Sequence, residues 1–97
     1  MRLRINKFGK ITFSELQTYL NANNVFGFTV KINDSTFIYT FLMMFRDTRN
    51  APEELYIEVS KNSKLVISAS TNKGKKFNNI DELNETTIFH KVLDGLT

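Results

Sequence analysis

Along the first six residues Leu3 and Ile5 alternate with Arg2 and Arg4. Period-two spacing of this kind predicts a half-buried strand over residues 2–6. Lys7 to Lys10 contains Gly9 and reads as a turn. The spacing then changes. Phe13, Leu16 and Leu20 share one helical face with Tyr19 beside them, and Thr12 with Glu15 has the spacing of a capping box. Asn23 and Asn24 accept left-handed geometry and can end the segment, so a helix is predicted over residues 12–22.

Alternation returns from Val25 to Asn33, with Phe26, Phe28, Val30 and Ile32 on one side and Gly27, Thr29 and Lys31 on the other. Asn33, Asp34 and Ser35 supply turn chemistry. Residues 36–46 are rich in aromatic and β-branched side chains and predict a strand, with a hydrophobic helix as the competing reading. As a strand the segment is apolar on both sides. Phe37, Tyr39, Phe41, Met43 and Phe45 line one face, and Ile38, Leu42 and Met44 lie on the other. After a loop at 47–53, Leu55, Ile57 and Val59 alternate with Tyr56, Glu58 and Ser60. Lys61 to Ser63 turns the chain. Leu65, Ile67 and Ala69 then alternate with Val66, Ser68 and Ser70, which completes the clearest hairpin of the sequence.

The C-terminal segment carries two apolar sets in different helical phases. Ile88, Phe89, Val92, Leu93 and Leu96 form one stripe, and Ile80 and Leu83 point nearly opposite to it. One straight helix cannot bury both against one surface. The phase break predicts a short helical turn near 79–84, capped by Asn79 with Glu82, and a separate helix at 87–94, capped by Thr86 or Thr87. The resulting order, β-α-β-β-β-β-α, predicts one α+β domain over residues 1–97. Its sheet of about five mainly antiparallel strands carries the helices on one face.

Composition narrows the function. The chain has 97 residues, no cysteine and a net charge of +3. These values fit one small domain and exclude disulfides, cysteine-ligated zinc and thiol nucleophiles. The longest apolar run, Phe37 to Phe45, covers nine residues and is broken only by Thr40, whereas a membrane helix needs about 20. The first residues lack the apolar core of a secretory signal, so a cytoplasmic protein without membrane contact is expected.

No catalytic constellation emerges. His90 is the only imidazole and lies toward the polar side of its predicted helix, one turn before Asp94. Glu58 and Lys61 invite a metal-dependent nuclease reading, but their separation puts them on opposite faces of a strand. Asp81, Glu82 and Glu85 sit near a helix start, where the macrodipole favours negative charge. Glu53 and Glu54 follow Pro52 in a loop and are expected to be solvated. The four glycines are isolated, so no phosphate-binding loop is present. The expectation is a non-enzymatic protein with no cofactor and no metal.

Two binding surfaces remain. The leading one is the second face of the central strand. If both helices pack on the aromatic face, Ile38, Leu42 and Met44, with Tyr56 and Val66 from the hairpin, would form an apolar sheet face for a protein partner or for self-association; the competing reading is that one helix or the C-terminal segment crosses over and covers them. The alternative is a small basic nucleic-acid-binding protein. It would use Lys73, Lys75, Lys76 and Phe77, with Arg2, Arg4 and Arg49 in support, through phosphate contact and base stacking. Heavy use of Asn, Lys, Ile, Phe and Thr suggests an A/T-rich coding genome. That bias links the leading reading to a phage or mobile-element inhibitor of a host protein such as a defence nuclease.

Overall fold

A computed structural model describes residues 7–45 and 52–88. Helix α1 covers Phe13–Ala22, and strands β1 to β4 follow as Thr29–Ile32, Thr36–Phe45, Glu53–Ser60 and Val66–Thr71. The two-residue strand β5 (Lys76–Phe77) precedes helix α2 (Ile80–Thr86) and strand β6 (Thr87–Ile88). The sheet runs in the order β1-β2-β3-β4-β5, every pair antiparallel, and β6 pairs with the far end of β2. This is the expected α+β domain.

Both helices start as their local sequences dictate. Thr12 Oγ1 accepts from the Glu15 N–H, and Glu15 Oε1 accepts from the Thr12 N–H at 2.8 Å, closing the capping box. Asn24, at φ 67°, takes the left-handed conformation just past α1. Asn79 Oδ1 accepts from the Glu82 N–H at 2.8 Å and opens α2.

The helices cover the aromatic face of β2. Phe41, Met43 and Phe45 are buried with Leu55, Ile57 and Val59 of β3, Leu16 and Leu20 of α1, and Ile80 and Leu83 of α2. Phe13 stacks on Tyr39 with ring centroids 3.9 Å apart. Across the top of the core, the Tyr19 hydroxyl donates to Asn84 Oδ1 at 2.6 Å and ties α1 to α2. The segment before α1 seals another edge. Val66 N–H donates to Ile11 O, and Gly9 N–H donates to Val66 O.

Four sequence expectations change. Val66 is fully buried in the core, not on the open face. Between β3 and β4 the register slips at Glu58/Val59: Ser68 faces Glu58, but Val66 faces Val59. This β-bulge inserts Ile67 and reverses the alternation on one side of it. Ile67 is therefore exposed, while Ala69 keeps its predicted place in the core. Glu53 is buried, not solvated in a loop, because it is the first residue of β3 and bonds Lys75. Thr87 and Ile88 pair with Phe45 and Met44 as a strand, where a helix was predicted to begin. The short strand β5 answers no predicted element, since two residues carry no periodicity. The predicted strand at 2–6 and the remainder of the predicted helix, from residue 89 on, lie outside the described residues.

Candidate functional site

With both helices on one face, the opposite face of the sheet lies open among the described residues. Its side chains come from alternate positions. Ile38, Thr40 and Leu42 of β2 stand opposite Glu58, Tyr56 and Glu54 of β3, and Ser68 and Ser70 of β4 continue the row. Lys31 of β1 faces Ile38 from the other side. Lys31, Ile38, Thr40, Tyr56, Glu58 and the two serines line a shallow concavity of about 350 Å³.

The concavity has an apolar centre and a hydrogen-bonding margin. Ile38 and the Tyr56 ring are half-buried. Ser68 Oγ donates to Glu58 Oε1 at 3.4 Å, and the Tyr56 hydroxyl donates to Glu54 Oε1 at 2.6 Å. The bond to Glu54 is the main cause that holds the Tyr56 phenol above its usual pKa. Leu42 lies further along, 65% exposed. With Met44 it lines a second, smaller hollow of about 230 Å³, walled by Asn24, Val25, Phe26 and Pro52. Four of the five residues expected at the apolar face, Ile38, Leu42, Met44 and Tyr56, thus share the open side. Val66 does not. The polar members Lys31, Thr40, Ser68 and Ser70 were missed, although Thr40, Ser68 and Ser70 each stand next to a core residue in their own strand.

A second apolar surface lies at the sheet's end. All four residues of β1 are exposed. Val30 and Ile32 stand opposite Tyr39 and Phe37, so they point to the helix side, but α1 does not reach far enough to cover them. Phe28 touches Phe13 and Tyr39 edge-on and remains 40% exposed, and Phe26 is 65% exposed.

Comparison with known protein families, curated proteins and solved structures finds no match for this chain. The site must be read from its own chemistry.

The basic loop is built differently from a phosphate grip. Thr71 Oγ1 accepts from the N–H groups of Lys73 and Lys75, and Gly74 takes φ 91° to close the turn. Lys75 points inward to the Glu53 carboxylate at 3.0 Å. Phe77 is buried, parallel to Phe45 with ring centroids 5.9 Å apart, and offers no face to a base. Lys73 and Lys76 are exposed. Elsewhere Lys61 and Lys64 lie 5.5 and 5.3 Å from the Phe37 ring centroid. Arg2, Arg4, Arg49 and His90 lie outside the described residues. Among the described residues no three His, Cys, Asp or Glu side chains converge to hold a metal ion, and no helix is long and apolar enough to cross a membrane.

Proposed function

We propose that the protein is a non-enzymatic binding module that holds a protein partner on the open face of its sheet. The observation that carries this reading is the placement of both helices on one face. Among the described residues it leaves Ile38 and Tyr56 accessible on the other, in a concavity of about 350 Å³, with the exposed Leu42 further along the same face. An apolar centre with a polar margin is the usual anatomy of a protein contact surface. Lys31 and Glu58 add one charge of each sign, which favours a partner with paired charges over a polyanion. The heavy use of Asn, Lys, Ile, Phe and Thr links this reading to a phage or mobile-element inhibitor, with a host protein such as a defence nuclease as the partner.

The test is affinity capture from a host lysate with the wild type and with an Ile38→Glu, Leu42→Glu double variant. Both proteins should show the same circular dichroism. A protein held by the wild type and lost by the variant supports the reading. Equal capture by both sinks it. The nucleic-acid alternative is tested by fluorescence anisotropy of labelled single strands, duplex DNA and RNA at two salt concentrations. Binding that collapses with salt and disappears in Lys73→Ala, Lys76→Ala would move the function to the basic loop.

A further inference from the structure

We infer that the outer edge of β1 is the docking site for β1 of a second copy of this chain. The two strands would pair antiparallel across a two-fold axis through Val30. The inference rests on the edge strand and is independent of the open face.

The backbone phase comes first. Asn33 N–H donates to Thr36 O at 2.9 Å, which makes Asn33 and Thr36 a hydrogen-bonded pair. Such pairs alternate along an antiparallel ladder. Lys31 and Thr29 therefore turn their N–H and C=O groups toward β2, and Ile32 and Val30 turn theirs outward. β1 ends the strand order, and no other described strand takes those groups. The strand is only four residues long and carries one charge, Lys31, on the open-face side, and no proline interrupts it.

The register follows from the side chains. With Val30 opposite Val30 of the second copy, Phe28 meets Ile32 and Thr29 meets Lys31. Residues with outward backbone groups then face one another, so the ladder bonds can form. The apolar side chains of both copies lie together on the helix side. Moving the axis one residue on, to Lys31, sets the two lysines directly opposite, which is destabilising. Moving it one residue back, to Thr29, requires pairing through Gly27, whose φ of 75° breaks the extended run. Val30 is the position that avoids both. The pairing would cover Phe28, Val30 and Ile32, which are 40%, 46% and 66% exposed in the single chain. It would also join two open faces into one continuous surface.

The experiment is sedimentation analysis over a concentration series, combined with amide hydrogen exchange. The wild type should reach twice the 11.3 kDa chain mass. The outward N–H groups of Val30 and Ile32 should become protected as the dimer forms. Val30→Arg should abolish the dimer with unchanged circular dichroism, and Ile38→Glu should leave it intact. Because the chain has no cysteine, Val30→Cys should cross-link with itself on oxidation more readily than Lys31→Cys. A wild type that stays monomeric at its highest soluble concentration overturns the inference. So does a dimer that survives Val30→Arg, or one in which Lys31→Cys cross-links best. Loss of partner capture by the Ile38→Glu, Leu42→Glu variant bears on the proposed function and leaves this dimer untouched.

Discussion

Lys75 Nζ lies 3.1 and 3.0 Å from the two carboxylate oxygens of Glu53, whose side chain is wholly buried. The same ammonium is 5.2 Å from the Phe45 ring centroid. A carboxylate taken out of water needs such company, and removing a partner from a buried pair leaves a charge that the interior stabilises poorly. Lys75 keeps some solvent contact, so its loss falls at the low end of the usual range. Lys75→Met should cost about 3 kcal/mol in urea denaturation, and adding Glu53→Gln should recover part of that loss. A cost as small as that of an exposed pair would show that the carboxylate is satisfied by other means.

Tyr19 gives the fold an alkaline limit. Burial, and secondarily the negative charge of Asp81, raise its phenol well above the usual value near 10. The unfolded chain then loses the phenolic proton before the folded chain does. The contribution is fully present below the unfolded value and is lost as pH climbs from there toward the folded value. Wild-type stability should fall more steeply above pH ~10 than that of Tyr19→Phe. At neutral pH the variant should lose about 1 kcal/mol with the bond to Asn84. Parallel pH–stability curves for the two proteins would contradict the assignment.

The Thr87 hydroxyl oxygen is buried without a hydrogen-bond partner among the described residues. Valine has the same shape without the unsatisfied group. Thr87→Val should therefore raise stability by roughly 1 kcal/mol, read as a higher melting temperature. A destabilised variant would mean that the hydroxyl is bonded in solution.

The bulge between β3 and β4 separates two neighbouring residues with opposite fates. Val66→Lys should unfold the domain, since it places a charge among Val59 and the rest of the core. Ile67→Lys should change stability by no more than about 0.5 kcal/mol. Circular dichroism of the two variants decides it. Equal tolerance would place the bulge elsewhere.

Much of this architecture is legible in the sequence where the signal is local. Thr12 with Glu15 and Asn79 with Glu82 mark the helix starts, and the alternation through Phe41, Met43 and Phe45 marks the core face of β2. What is not legible depends on pairing at a distance. Val66 reads as outward-facing because strict alternation knows nothing of an inserted Ile67. Glu53 reads as solvated because its partner lies on another strand. The alternation of Phe28, Val30 and Ile32 is visible, but not that β1 ends the sheet beyond the reach of α1. The open face was anticipated in four of its apolar residues because they share one parity with the polar side of β2 and β3.

The way the sheet is closed has a consequence for how the chain is made. Strands β1, β2, β3 and β4 are neighbours both in the chain and in the sheet and can pair as they leave the ribosome. Their edges are completed by segments from the two ends of the described chain: Lys7 bridges to Asn79, Thr12 to Leu65, and Met44 pairs with Ile88. Contacts of such long sequence separation slow folding, because loop closure must precede the bonds that reward it. Residues 7–12 must therefore wait until the segment from Leu65 to Asn79 has been synthesised. During that interval the flank of β4 that residues 9–12 will cover is exposed, and an unpaired strand edge of this kind makes folding intermediates prone to aggregate.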